Sequence, residues 1–395
     1  MNDLISRKMQ SVKASAIREI LKATSNPDII SFAGGNPAPE TFPIEAIREL
    51  SDRILSENPY SVLQYGITEG DPDFLKQANI FFNRDEQVTK DNDMIISTTG
   101  SQQIMDLLSK TLCNEGDIIV SEEPAFLGAL NCFKENGALL KGVGFKNEQL
   151  DLEALEKAFA SSPKPKFFYT IPNFQNPMGT TMSLEVRQQV LALAKKYQIT
   201  ILEDNPYGAI RFTDQAIPSI KSLDQDDLVI YAASLSKIMA PGMRLAVCIG
   251  RKDIVGKMVV AKQGADVHTN LWAQKVSAKL LETYDMDKHL KYLREVYQKK
   301  CELMLKEMDQ AFNQRVTYTR PEGGMFIWVT MPDHIDVNEF VQKALKHRVA
   351  IVPGAAFYID DSLPCHSFRM NFSTPSDENI MKGVRILAKL MKDIF

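Results

Sequence analysis

Short apolar runs alternate with amphipathic segments through the middle of this chain. After the apolar run at residues 94–98, apolar side chains recur at helical spacing, and the same period is found at residues 184–197. Further short apolar runs occur at residues 117–120, 167–171, 199–202, 228–232 and 245–249. Short apolar strands separated by helices are typical of a mostly parallel sheet with helices on both faces. The pattern therefore predicts an α/β fold with a three-layer αβα large domain.

The pattern changes after about residue 270. A long helical region is predicted at residues 274–312, and strands and helices then alternate to the C-terminus. The predicted elements are strands at 325–329, 350–353 and 368–372, a helix at 337–346, and a final helix that ends at residue 395. This pattern indicates a smaller α+β domain.

The N-terminal region is predicted to form an arm. It contains one short amphipathic stretch, residues 15–21, followed by a Gly- and Pro-rich segment at 32–43. We predict an arm at 1–44 that joins the small domain, a large domain at 45–272 and a small C-terminal domain at 273–395.

Composition and charge exclude several classes of protein. The chain has 395 residues, 44% of them hydrophobic, with 46 Lys and Arg against 50 Asp and Glu. A formal net charge of −4 argues against a general binder of nucleic acid or of anionic membranes, because those partners need excess positive charge. The five cysteines are an odd number, include no C-x-x-C pair and predict reduced thiols rather than disulfides or a metal site. Without a signal-peptide core or an apolar run of membrane-spanning length, we expect a soluble cytoplasmic protein.

One loop between two predicted strands carries candidate chemistry. It reads Ser234-Leu235-Ser236-Lys237, and Arg244 follows seven residues after the lysine. Two hydroxyls, an amine and a guanidinium suit a phosphate beside a reactive lysine. Taken alone, a segment of this composition is more often an ordinary surface loop.

Polar residues also follow three other predicted strands. Gly100-Ser101-Gln102 opens a helix, whose free N–H groups can receive an anion. Asn176 lies in an Asn-Pro turn, and Asp204 and Tyr207 follow the run at 199–202. A carboxylate at the end of a buried strand is costly unless it is partnered or functional.

In this order, these motifs resemble those of the class I/II aminotransferases among the fold type I pyridoxal-phosphate enzymes. Within them, the chain is similar to the group that contains 2-aminoadipate and kynurenine aminotransferases. The similarity extends from residue 15 to the C-terminal helix and includes Gly34-Gly35, Leu63-Gln64-Tyr65-Gly66 and the segment 320–326. It implies an aspartate-aminotransferase-like fold, pyridoxal 5'-phosphate as cofactor, amino acid and 2-oxo acid substrates, and a homodimer with shared active sites.

The resemblance also implies a role for each motif residue. Lys237 matches the Schiff-base lysine, Asp204 the partner of the pyridine nitrogen, and Tyr207 and Asn176 the residues that bond the 3′ oxygen of the ring. The cofactor phosphate would be held by Gly100, Ser101, Gln102, Ser234, Ser236 and Arg244, with Tyr65 reaching it from the other subunit. Phe126 matches the aromatic that stacks on the ring, where tyrosine is more frequent.

The substrate side follows from the same resemblance. Arg369 matches the arginine that binds the substrate α-carboxylate, and Gly35 and Asn176 match neighbouring substrate contacts. Asn36 and Met178 depart from the more frequent residues at their positions. The implied reaction is ping-pong transfer of an amino group from an L-amino acid, through Lys237, to a 2-oxo acid.

The sequence leaves the amino donor and two alternative functions open. The donor could be 2-aminoadipate, kynurenine, an aromatic or a branched-chain amino acid, with 2-oxoglutarate as acceptor. Another reaction of the same cofactor, such as C–S β-elimination or racemisation, is the first alternative, because these reactions diverge only after the α-proton leaves. A regulator built on this fold is the second, although the residues before the catalytic region are few and not basic.

Overall fold

The structure is a computed structural model that describes residue 4, residues 6–10, residue 20 and residues 26–394. The amphipathic stretch predicted at 15–21 therefore lies outside the described residues, except for residue 20. Among the described residues, no helix has the length and apolar character needed to cross a membrane.

The strands are numbered in chain order. They are β1 (Ile30–Ser31), β2 (Asp93–Thr98), β3 (Ile118–Glu122), β4 (Leu139–Val143), β5 (Phe145–Lys146), β6 (Gln149–Leu150), β7 (Phe167–Thr170), β8 (Thr200–Asn205), β9 (Val229–Ser234), β10 (Ala246–Arg251), β11 (Thr317–Tyr318), β12 (Phe326–Thr330), β13 (Val349–Ala350), β14 (Val352–Pro353) and β15 (Ser367–Asn371).

The α-helices follow the same order. They are α1 (Arg7–Gln10), α2 (Ile44–Glu57), α3 (Tyr60–Leu63), α4 (Pro72–Phe82), α5 (Ser101–Leu112), α6 (Leu127–Glu135), α7 (Leu152–Phe159), α8 (Leu184–Tyr197), α9 (Ile220–Leu223), α10 (Lys252–Ala265), α11 (Leu271–Thr283), α12 (Met286–Ala311), α13 (Val337–Lys346) and α14 (Asp377–Lys392). Short 3₁₀ turns lie at Pro39–Thr41, Pro241–Met243 and Gly354–Phe357.

A seven-stranded sheet forms the centre of the protein. Its order is β2-β10-β9-β8-β7-β3-β4, and β10 runs antiparallel to both of its neighbours while the other pairs are parallel. Every residue of β7 and of β9 is buried, as expected for strands covered on both faces. The predicted α/β class with a mostly parallel sheet is confirmed.

The register of this sheet brings polar side chains to one edge. Thr170 at the end of β7 pairs with Glu203, and Asp204 on β8 pairs with Ala232 on β9. The carboxyl ends of parallel strands meet at the same edge, where open α/β sheets bind their ligands. The loops after these strands therefore converge.

The C-terminal part contains a second, antiparallel sheet. Its order is β11-β12-β15-β14, and α12 packs against α14 beside it. The strand β1 pairs in parallel with β13, so the segment around Ile30 is joined to this part of the chain. The division into domains at residues 44 and 272 stays a prediction. The helix α11, which begins at residue 271, packs against α2 and α4 of the predicted large domain.

Two details differ from the sequence-based prediction. The region 274–312 contains two helices rather than one, because Asp285 accepts a hydrogen bond from Lys288 N at 2.9 Å and begins a new helix, α12. The edge strand β4 had no clear apolar signal, since it starts at the exposed Leu139 and includes Gly142.

Candidate active site

A cavity of about 340 Å³ lies at the carboxyl edge of the central sheet, against the second sheet. Because each wall comes from a different element, the sequence segments that form it are far apart in the chain. Of the residues singled out in the sequence, it is lined by Gly35, Ser101, Gln102, Phe126, Asn176, Asp204, Tyr207, Ser234, Ser236, Lys237, Arg244 and Arg369. Gly100 does not line the cavity but lies next to Arg244, and Tyr65 lies outside the cavity.

Lys237 lies in the loop that follows β9. Its ammonium donates to the carbonyl of Gly35 at 2.7 Å. Burial lowers the pKa of Lys237 to about 8, and the positive charges of Arg369 and Arg244 add to this effect. The neutral, nucleophilic form of this amine is therefore much more populated near neutral pH than that of an ordinary lysine.

Asp204 forms the acidic end of the cavity. Burial raises the pKa of this carboxyl to about 7, against the opposing effects of the Tyr169 hydroxyl and the Lys237 charge. The Tyr169 hydroxyl donates to Oδ2 at 3.0 Å, while Oδ1 is buried and has no hydrogen-bond partner among the described residues. Sequence reasoning missed Tyr169, although it lies in an apolar run that ends at the same edge.

The opposite end of the cavity suits an anion. The helix α5 begins at Ser101, and no described side chain caps its first turn, so the N–H groups of Ser101 and Gln102 have no side-chain acceptor among the described residues. Gly100 has a φ of 77°, and a Cβ there would collide with the guanidinium of Arg244. Glycine is therefore required both for the turn and for the approach of Arg244.

Arg244 is held by backbone carbonyls. Its guanidinium donates to Thr99 O and to Pro241 O, each at 3.3 Å. The hydroxyl of Ser234 accepts from Ser236 N at 3.2 Å, and both serines line the cavity. The guanidinium and these hydroxyls are the donors that a phosphate requires.

Arg369 lies between two aromatic rings. Its guanidinium carbon is 4.2 Å from the centre of the Phe326 ring and 4.8 Å from that of Phe357. It donates to Asn176 Oδ1 at 2.8 Å and to Ala33 O at 2.7 Å, while its buried Nε has no partner among the described residues. Burial lowers the pKa of Arg369 to about 10.

Two aromatic side chains complete the walls. Tyr207 is buried with its ring at 5.9 Å, edge to face, from Phe326, and burial raises the pKa of its hydroxyl well above the usual range. Phe126 precedes α6, and a Cβ at Gly128 would meet its ring at 2.5 Å. The absent side chain at Gly128 thus leaves room for the Phe126 ring.

Tyr65 is 81% exposed and is not part of the cavity wall. Its ring makes an edge contact with His268 at 5.8 Å between centres.

Comparisons with known proteins agree with this geometry. The family Aminotransferase class I and II matches residues 27–387. The chain is 38% identical to aromatic-amino-acid aminotransferase 1 of Thermococcus litoralis, over 98% of this chain and 94% of that protein. It is 36% identical to the 2-aminoadipate transaminase of Thermus thermophilus, over 97% of this chain and 95% of that protein.

A solved structure is similar over the whole length. The kynurenine aminotransferase of Pyrococcus horikoshii, in a crystal structure with PMP, superposes with a TM-score of 0.95 at 36% identity, covering 100% of this chain and 98% of that one. With its parallel sheet, its buried amine and its acidic and anion-binding ends in one cavity, this chain belongs to the class I and II aminotransferases and is a pyridoxal-phosphate-dependent transaminase.

Proposed function

We propose that this transaminase takes its amino group from an L-amino acid with an aromatic side chain and passes it to a 2-oxo acid. The observation that carries this proposal is the buried Arg369, whose Nε has no partner among the described residues and whose guanidinium lies against the aromatic rings of Phe326 and Phe357 in the cavity wall. 2-Aminoadipate and branched-chain amino acids are the other candidate donors.

The charges of the cavity support an apolar donor. Among the described residues, the positive groups of the cavity are Lys237, Arg244 and Arg369. In this proposal, each of them binds either the cofactor or the substrate α-carboxylate. The apolar Met105, Leu127 and Ile171 line much of the remaining wall. An apolar substrate side chain loses water there without leaving a charge unpaired.

The residues present fit pyridoxal phosphate. Three buried polar atoms on the cavity residues lack partners among the described residues: Asp204 Oδ1, Ser101 Oγ and Arg369 Nε. Buried polar groups are normally satisfied, so these atoms are suited to a ligand. When bound, the cofactor supplies an electron sink for the bond that breaks at the substrate α-carbon.

In this proposal, Asp204 pairs with the pyridine nitrogen and keeps it protonated. Tyr207 and Asn176 bond the 3′ oxygen, and Phe126 stacks on the ring. Lys237 would hold the cofactor through its neutral amine, and its free amine would hold or move the proton at the substrate α-carbon.

The phosphate is held at the anion-suited end. Arg244 and the hydroxyls of Ser234 and Ser236 donate from one side, and the first turn of α5, with Ser101 and Gln102, donates from the other. Because Gly100 has no side chain, the Arg244 guanidinium can approach the start of α5. Arg369 binds the substrate α-carboxylate beside Gly35.

We also propose a homodimer with shared sites. No residue of the helix α2 is fully buried, and the following segment exposes Tyr60 (82%), Leu63 (73%) and Tyr65 (81%). Such a run of exposed apolar side chains is typical of an interface. Tyr65 would then reach the cofactor phosphate of the other subunit, and light scattering of the purified protein tests the state of association.

A cytoplasmic location is consistent with the thiols. All five cysteines are free, and free thiols persist in reducing compartments. Fractionation of cells that express the protein tests this location.

The proposed amino transfer is tested by following one half-reaction by itself. The protein carrying cofactor is mixed with one amino acid at a time, without acceptor, and loss of its visible absorption is followed. Phenylalanine or tyrosine is expected to convert the cofactor stoichiometrically, faster than aspartate. Borohydride reduction followed by peptide mapping is expected to label Lys237.

Two outcomes would overturn the proposal. Turnover without net amino transfer, such as racemisation or release of a thiol, would contradict the reaction. A Lys237→Ala variant with undiminished activity would contradict the role of this lysine, since we expect a loss of ~10³-fold or more.

A further inference from the structure

A second buried carboxylate lies beneath the cavity, at the end of β3. Glu122 is 1% exposed and is not among the residues that line the cavity. Its Oε1 accepts from the Thr170 hydroxyl, and its Oε2 accepts from Ile171 N at 3.2 Å and from Gln175 Nε2 at 3.1 Å. Like Asp204, it is a carboxylate at the carboxyl end of a buried strand, and that signal could have identified it in the sequence.

Gln175 connects two loops of the site. Its Nε2 also donates to Pro124 O at 2.8 Å, and its Oε1 accepts from Met178 N at 2.9 Å. Its backbone N–H donates to Thr180 O at 2.8 Å. One side chain therefore shapes the loop around Asn176 and ties it to the loop that follows β3.

These two loops carry residues of the cavity. Asn176, next to Gln175 in the chain, accepts from Arg369, while Phe126 is two residues beyond Pro124. Between them, Ala125 N donates to Phe357 O at 2.9 Å, and the Phe357 ring covers the Arg369 guanidinium. The Glu122 and Gln175 pair thus lies at the junction of the ring-stacking wall and the carboxylate-binding wall.

The carboxylate is kept in place by donors rather than by a cation. Among the described residues, its hydrogen-bond partners are all neutral groups. Burial raises the pKa of Glu122 to about 7, and the nearby Asp204 adds to this effect. Burying a carboxylate is costly, and the donors of Glu122 lie at the end of β7 and in the loop that follows it, so this carboxylate joins β3 to the loop that carries Asn176.

We propose that Glu122 and Gln175 are positioning residues that fix Asn176 and Arg369 relative to the Phe126 ring, and so set the affinity for the substrate carboxylate. The proposal rests on the proposed functions of Phe126, Asn176 and Arg369. Misplacing a binding group by a fraction of an ångström weakens substrate binding without removing any reacting group.

The test compares variants of the complete enzyme carrying its cofactor. In Glu122→Ala and in Gln175→Met, the KM for the amino donor is expected to rise about tenfold or more, with a smaller change in kcat. Glu122→Gln is expected to keep KM within about threefold, because its amide oxygen can accept from Ile171 and Gln175 while its NH₂ donates to Thr170.

Glu203 provides a matched control. It is also a buried carboxylate at the end of a strand, but it accepts from Ile220 N at 3.1 Å and Lys221 N at 2.7 Å, away from the cavity. Burial raises the pKa of Glu203 to about 7 as well. Glu203→Gln is expected to lower the thermal midpoint and leave KM unchanged.

The outcomes separate the possible failures. If Glu122→Ala and Gln175→Met lower the thermal midpoint but keep the wild-type KM, the pair is merely structural and the positioning role is wrong. If Glu122→Ala does not fold, Gln175→Met alone decides, since it preserves volume and removes only the hydrogen bonds. A wild-type enzyme without any half-reaction would instead contradict the proposed function.

Discussion

The ammonium of Lys237 donates to the backbone carbonyl of Gly35 at 2.7 Å, which joins the loop after β9 to the segment after β1. These residues are 202 positions apart in the chain. The contact places the reactive amine against the segment that also provides Ala33 O to Arg369. The amine and the arginine are therefore oriented by the same short stretch of backbone.

The first prediction concerns the pH dependence of cofactor attachment. Burial and two positive neighbours lower the pKa of Lys237 to about 8, so the neutral, nucleophilic amine increases as pH rises through that value. The rate at which protein without cofactor attaches pyridoxal phosphate, followed by visible absorption, is expected to rise with an inflection near pH 8. Arg369→Gln removes a positive neighbour and is expected to move the inflection to higher pH.

The second prediction concerns the geometry of Arg369. Arg369→Lys keeps the charge but loses the planar fork that donates to Asn176 and Ala33. The KM for the amino donor is expected to rise by about ten- to a hundredfold in steady-state assays. Arg320→Lys is the control, because this arginine is on the surface and pairs with Asp309; a change of KM there would contradict the assignment.

The third prediction concerns Tyr169 as the partner of Asp204. Tyr169→Phe removes the donor to Oδ2 at 3.0 Å, so the pKa of Asp204 is expected to rise further. A protonated Asp204 is a poorer partner for the pyridine nitrogen. The acidic limb of the pH–rate profile is expected to shift upward by about one pH unit, and activity is expected to recover as pH increases.

A suitable control for Tyr169 lies on β9. The buried hydroxyl of Tyr231 accepts from Asn205 Nδ2 at 2.6 Å and does not contact Asp204. Tyr231→Phe is expected to leave the acidic limb in place, and an equal shift in both variants would contradict a specific role for Tyr169.

The fourth prediction concerns the ion pair beside the turn at Thr99 and Gly100, where we propose that the cofactor phosphate binds. The fully buried Lys262 side chain lies 2.6 Å from Asp266 Oδ1, while Thr99 donates to Oδ2 at 2.8 Å. Asp266→Ala leaves the buried Lys262 ammonium without its partly exposed carboxylate, at a cost of about 1–3 kcal/mol in the free energy of unfolding. It also frees Thr99, whose carbonyl accepts from Arg244.

A double variant separates these effects. Lys262→Met with Asp266→Ala is expected to regain most of the stability in denaturant titrations, because no unpaired charge remains. Its affinity for the cofactor is expected to stay about fivefold or more below wild type, since Thr99 still lacks its acceptor. Full recovery of affinity would show that Asp266 does not position the turn.

Local pattern was enough to predict most elements of the central sheet. The helix α8 was predicted at its observed bounds, and the strands β7, β8 and β9 were predicted within two or three residues, because each is a buried apolar run of strand length. The division of α11 from α12 was missed, since the amphipathic period continues across Asp285. The strand β4 is defined by its pairing with β3 rather than by its own composition.

The sequence by itself determined the fold class, the family and the chemical identity of the groups near Lys237, because these depend on local order and residue type. It could not determine which backbone carbonyl receives the Lys237 amine, how the Arg369 guanidinium lies between Phe326 and Phe357, or that Tyr169 supports Asp204. Those contacts join segments far apart in the chain. Only the register of the sheet and the packing of the second sheet against its carboxyl edge bring them within hydrogen-bonding distance, and burial there shifts the pKa values of Lys237 and Asp204.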